Sequence, residues 1–152
     1  MKRVAFVSAY LVLCLTLPAY GDDKEDLKMM EGEWLPTTGE LAGKPFPDEL
    51  LKSIKLVMKG ENYTAGVGEQ TDRGTVKVDS SKTPKTIDIT GTEGPNKGKT
   101  FPAIYELSGD TLKVCYNLGG ADRPTEFKTK EGTQLFLVTY KRSKKEKEKE
   151  KE

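Results

Sequence analysis

The 152-residue chain contains no histidine, and its cysteines stand only at positions 14 and 115. The first absence removes Ser-His-Asp and Cys-His triads, imidazole-based metal sites and the commonest general base. The second leaves too few thiolates for a zinc site. The stretch Gly94-Pro95-Asn96-Lys97-Gly98-Lys99-Thr100 has the look of a phosphate-binding loop, but it fails on spacing. Three residues rather than four separate its glycines, Pro95 interrupts it, and its expected flanks are two strands instead of a strand and a helix. Asp79, Asp88 and Glu93 are scattered carboxylates without calcium-loop spacing and read as solvated surface. Asn62-Tyr63-Thr64 matches a glycosylation sequon, which says only that the position can be exposed. No enzyme activity, metal or cofactor is expected from this inventory. The chemistry left is that of an apolar and aromatic interior. Tyr63, Tyr105 and Tyr116, with Leu112, Val114 and Phe127, are the candidates to line a binding site for a small hydrophobic ligand.

Such a lining needs strands to hold it, and the strands need a closed end. Gly32-x-Trp34, around the only tryptophan, can supply one. The glycine lets the backbone turn tightly into the first strand, and the indole then covers apolar side chains as a plug. Its expected counterpart is Arg142, at the end of Gln134-Leu135-Phe136-Leu137-Val138-Thr139-Tyr140-Lys141. If first and last strands pair, its guanidinium lies over the ring.

From Ser53 onward apolar residues recur with period two, punctuated by turn residues. Ile54 to Lys59 and Tyr63 to Val67 flank Gly60 as a hairpin, and Phe101 to Leu107 and Thr111 to Tyr116 flank Gly109 as another. Thr75 to Asp79, Thr86 to Thr90, Thr125 to Thr129 and Leu135 to Lys141 complete the set, with Trp34 to Thr38 as the first strand, interrupted by Pro36. Inward positions are read as Leu56, Met58, Val76, Val78, Ile87, Ile89, Leu135 and Leu137 besides the candidate lining. Asp22 to Glu31 predicts a short helix, and Asp48 to Ser53 another. The second lies between the first two strands, where Leu41, Phe46, Leu50 and Leu51 would form a lid. The expected fold is all-β: an antiparallel up-and-down β-barrel of about eight strands with one or two short helices.

Residues 1–21 read as a signal peptide, with Lys2-Arg3, an apolar run from Val4 to Pro18, and small Ala19 and Gly21 before Asp22. The run is shorter than the roughly 20 residues a spanning helix needs, so no stable membrane insertion is expected after cleavage. Leu13 stands where a lipoprotein box requires a small residue before Cys14. Export to the periplasm or the cell exterior follows. Removal of Lys2 and Arg3 turns 25 basic residues into 23 against 24 acidic ones, which gives no electrostatic reason to expect nucleic acid. Residues 22–142 then form one domain, with Cys115 lacking an internal disulfide partner. Residues 143–152 are a Lys/Glu polyampholyte with nothing apolar to bury, expected to be a disordered tail.

The ordered series Leu27-x-x-Met30-x-Gly32-x-Trp34, Leu41-x-Gly43-Lys44-Pro45, Lys59-Gly60, Pro84-Lys85-Thr86-Ile87-Asp88-Ile89, Gly94-Pro95-Asn96-Lys97-Gly98-Lys99, Ile104-Tyr105-Glu106-Leu107, Gly109-Asp110-Thr111-Leu112 and Arg123-Pro124-Thr125-Glu126-Phe127 resembles an uncharacterised lipocalin-like domain family abundant in planctomycete bacteria. The resemblance spans residues 27–142. It implies export and a lipocalin-like barrel closed by Trp34 and Arg142, with no established activity to carry over. The chain is shorter than typical lipocalins and lacks a disulfide, which argues against a capacious pocket. Two functions stand side by side: binding of a small hydrophobic ligand inside the barrel, or a structural or protein-interaction domain with a filled core and no ligand.

Overall fold

The computed structural model describes residues 22–144. The leader expected over 1–21 and the tail from residue 145 onward lie outside the described residues. Helix α1 (Asp23–Met30) precedes β1 (Gly32–Leu41), β2 (Lys44–Pro45), helix α2 (Asp48–Lys52), β3 (Ile54–Lys59), β4 (Asn62–Val67), β5 (Gln70–Asp79), β6 (Lys85–Glu93), β7 (Thr100–Ser108), β8 (Thr111–Asn117) and β9 (Leu135–Arg142).

All the ladders are antiparallel. Strands β1 and β3 to β9 follow one another around the sheet, and β9 pairs back onto β1, so eight strands close into an up-and-down barrel. Strand β2 is an addition, a two-residue return hairpin on the end of β1. The closing ladder runs from Trp34↔Arg142 to Leu41↔Phe136, with a bulge between Pro36 and Thr38. Proline has no N–H to give a ladder, so an irregularity beside Pro36 is where one belongs.

The barrel has two unlike ends. Tight turns β3–β4, β5–β6 and β7–β8 gather at one, together with α1. At the other lie the segment 42–53 with β2 and α2, the loop 94–99 and the long loop 118–134. Alternate residues of every strand point inward, and Leu56, Met58, Val76, Val78, Ile87, Ile89, Leu112 and Val114 form the core as expected.

Two expectations change. No strand forms over 125–129, because β8 pairs directly with β9 from Thr111↔Lys141 to Asn117↔Leu135 and leaves no ladder for it to join. Segment 118–134 instead lies against the outside of the barrel. Arg123 donates from Nη1 to the carbonyls of Ala103 (2.8 Å) and Ile87 (3.3 Å) and from Nη2 to Asp88 Oδ1 at 2.7 Å. Thr129 bonds Glu40 and accepts from Gly43 N. Beneath it Ile104 and Cys115 are buried although they face away from the barrel axis, and Pro124 of the segment itself is buried with them. The second change concerns β9, which turns Phe136, Val138 and Tyr140 inward and Leu135 and Leu137 outward. Both faces of that strand are apolar, so its alternation could not choose between them; a shift of one residue exchanges the faces.

Candidate functional site

The closed end is built from α1 and the first and last strands. Trp34 is fully buried, its Nε1–H donating to Met30 O at 2.8 Å. The Arg142 guanidinium sits over the indole with Cζ 4.3 Å from the ring centroid, a cation–π contact. The same guanidinium donates to Met29 O (2.6 Å), Glu31 O and Asp110 Oδ1 (3.0 Å), which ties the helix end, the β7–β8 turn and β9 together. Gly32, at φ 122°, holds a backbone conformation that L side chains rarely adopt, directly where the helix gives way to β1. Gly32, Trp34 and Arg142 thus occupy the places the sequence suggested.

Helix α1 is fixed by two further anchors. Asp26, only 4% exposed, accepts from Tyr105 Oη at 2.6 Å and Lys85 Nζ at 2.7 Å. Asp23 accepts from both N and Oγ of Ser80 (2.7 and 2.6 Å), and these bonds hold its carboxyl below the usual carboxylate range. Burial pushes the Tyr105 phenol far up, helped by the bond to Asp26 and its negative charge. Tyr105 therefore works as a neutral tether for α1. It lies inside the barrel, as expected, but at the closed end and away from the cavity described next.

Above Met30, which is fully buried and forms a floor, the interior opens into a cavity of about 160 Å³. Leu56, Met58, Ala65, Val76, Ile87 and Ile89 line one side, with Phe101, Leu112, Val114, Tyr116 and Phe136 opposite. Tyr63, Tyr116, Leu112 and Val114 are brought together here. Phe127 is not among them. It stands in the outer segment 118–134, with Lys113 Nζ 5.5 Å from its ring centroid, because the strand that would have carried it inward does not form.

The mouth has a specific polar corner. Tyr63 pairs across the ladder with Gly74, where an added Cβ would lie 2.7 Å from the Tyr63 ring and 2.0 Å from Thr90 O. Only glycine leaves room for the phenol to lie flat there. Its hydroxyl then donates to Asp72 Oδ2 at 2.8 Å. Asp72 also accepts from Asn96 N (3.0 Å to Oδ1) and Asn96 Nδ2 (3.1 Å to Oδ2). The loop that mimicked a phosphate cradle is folded back against the mouth through Gly91 N to Lys99 O and Gly98 N to Gly91 O (both 2.9 Å), and its Asn96 reaches the cavity. Asp72, Asn96, Phe136 and Met30 were not among the lining residues expected from the sequence. Gly91, Gly94 and Gly98 were the available signal, marking a place where backbone approaches backbone.

On the lid side, Phe46 stacks on Phe136 with centroids 5.3 Å apart, and Phe136 on Tyr116 at 5.5 Å. Phe46 and the buried Leu51 close over Gly39, where a Cβ would meet them at 3.0 and 3.1 Å. A continuous aromatic file therefore links the 42–53 segment to the cavity wall. Burial holds the Tyr63 and Tyr116 phenols well above their ordinary range, reinforced at Tyr63 by the bond to Asp72 and at Tyr116 by neighbouring Tyr140. Tyr140 itself is pushed up to about 12 by burial. All are neutral hydrogen-bonding groups at ordinary pH, suited to orienting a ligand rather than to proton transfer.

Among the described residues no three or more Cys, Asp or Glu side chains are grouped to hold a metal ion, and no helix is long and apolar enough to cross a membrane. Comparisons with family models, with curated proteins and with solved structures find no match to this chain.

Proposed function

We propose that this protein is an exported, lipocalin-like binding module that holds one small, largely apolar ligand in the upper half of its barrel. The observation that carries the reading is the cavity: about 160 Å³, walled by apolar and aromatic side chains, floored by Met30 and bordered by the loops at the end away from Trp34. Its size defines the ligand. A cavity of about 150 Å³ accepts a benzene-sized molecule. Pockets for larger organic ligands run from roughly 300 to 1,000 Å³. A single ring or a short branched chain fits, and a long-chain lipid does not. The export half of the proposal rests on Met1 to Gly21 and on the resemblance to exported lipocalin-like domains of planctomycete bacteria.

The alternative is a structural or protein-interaction domain. What supports it is that the inward side chains pack into one buried hydrophobic cluster and that the space above Met30 is smaller than most ligand pockets. One experiment separates the two. Amide NMR shifts are recorded while single-ring aromatic fragments are titrated into wild type and Ala65→Leu, a change that fills the cavity from its wall. Binding is expected to shift β4 and β8 amides in wild type and to vanish in Ala65→Leu without loss of thermal stability. Fragments that leave wild-type β8 amides unmoved would overturn the binding reading in favour of the alternative.

A further inference from the structure

The wall of the cavity carries one charged side chain, Asp72. Among the described residues no lysine or arginine lies within ion-pair distance of it, whereas its neighbour in sequence, Arg73, is committed to Glu93 at 3.2 Å. The groups that do meet Asp72 are the neutral donors Tyr63 Oη, Asn96 N and Asn96 Nδ2. They fix the carboxylate in one orientation and leave its charge uncompensated. A carboxylate offers about four lone-pair positions, so three donors leave room for one more. A charge at the edge of an apolar space is costly to cover unless a counter-charge arrives with whatever covers it. The rings of Tyr63, Phe101, Tyr116 and Phe136 turn the rest of the lining into surfaces that also favour a cation over a neutral group.

We propose that the ligand is a small organic cation, an amine on a compact apolar body, with its ammonium held at Asp72 and its body among the aromatic rings. This rests on the reading of the cavity as a binding site and adds the ligand class to it. An anion is disfavoured by Asp72, and a neutral hydrocarbon fills the space but leaves the carboxylate without a counter-charge as its water is displaced. Tyr63 and Asn96 act as positioning residues: they hold the carboxylate, and Gly74 makes room for the Tyr63 ring that does so.

The test titrates the full chain with benzylamine, benzyl alcohol and ethylbenzene, three probes of one shape that differ in charge and polarity, followed by calorimetry and amide NMR. Benzylamine is expected to bind about tenfold or more tightly than either neutral probe, since a charge-assisted hydrogen bond is roughly twice as strong as a neutral one. Asp72→Asn is expected to remove that preference while ethylbenzene binding stays within about twofold. Tyr63→Phe, which keeps the charge but removes a donor that orients it, is expected to weaken that preference while ethylbenzene binding stays within about twofold, and so covers the case in which Asp72→Asn does not fold. Equal binding of all three probes, or a preference for benzylamine that survives in Asp72→Asn, overturns the assignment of the cation and leaves the cavity reading intact. Failure of every probe to shift the β4 and β8 amides overturns both.

Discussion

The two ends of this barrel treat polar groups in opposite ways. At the closed end each polar group near the core is matched to another part of the fold: Trp34 Nε1 to Met30 O, Asp26 to Tyr105 and Lys85, Asp23 to Ser80, Arg142 to two helix-end carbonyls and Asp110. At the open end the corresponding device, Asp72 with Tyr63 and Asn96, orients a carboxylate without neutralising it and faces a space that side chains do not fill. The difference separates the end where the fold is tied together from the end where the interior is left open. A barrel of this size can leave space open at one end because the other is bound together over long sequence separations, from residue 26 to 105 and from 29 to 142. Segments with fewer buried contacts open at lower free energy, and sites that must admit a ligand are drawn from them.

Substitutions at the two ends should therefore differ in kind as well as in size. The largest effect is expected from Trp34→Ala, which empties the plug and strands Arg142 beside the vacancy. About 3–5 kcal/mol of stability should be lost in urea unfolding, the range for deleting a buried large aromatic ring. Next comes Asp26→Ala, which removes the acceptor of both Tyr105 and Lys85. Breaking a buried pair costs roughly 3–5 kcal/mol, but Lys85 keeps access to water, so about 2 kcal/mol is expected, again by urea unfolding. At the open end Phe46→Ala should cost only about 1 kcal/mol, because its ring is part-exposed and covers rather than fills. Its main readout is kinetic: benzylamine should leave faster, measured by NMR exchange broadening. A loss at Phe46 matching that at Trp34 would erase the distinction between the ends.

The smallest effect concerns acid. Asp23 has its folded-state pKa depressed by Ser80, so the stability it contributes is present above its unfolded value of 3.8 and lost as pH falls through the lower folded value. Ser80→Ala removes the hydroxyl bond, the largest cause of that depression, while keeping the backbone bond. Its stability should decline less steeply than that of wild type below about pH 4. Parallel acid limbs for the two proteins would show that the α1 anchor at Ser80 carries no linked proton.

Much of the architecture was legible because it is written in short-range patterns. Clean alternation in Thr75 to Asp79 and Thr86 to Thr90, glycine turns at Gly60 and Gly109, and an acidic start to each helix led to the right elements, though β5 and β6 extend beyond the alternating segments to Gln70–Asp79 and Lys85–Glu93. The Trp34 and Arg142 pairing followed from closure, since a barrel whose first and last strands meet has to bring those two together. The site was legible in part. Tyr63, Tyr116, Leu112 and Val114 line the cavity, Tyr105 lies below it, and Phe127 lies outside the barrel.

The amino-acid order alone determined that strands would form and that no imidazole would be present to do chemistry. Tertiary structure decided the rest: which face of Leu135 to Tyr140 turns inward, why segment 118–134 covers Ile104 and Cys115 from outside, and that Asp72 meets Asn96 across a folded-back loop. The physical reason is common to all three. A period-two pattern identifies a buried face only when the other face is wet, and a strand-like segment becomes a strand only if a ladder edge is free to receive it. Both conditions depend on partners tens of residues away, which local sequence does not contain.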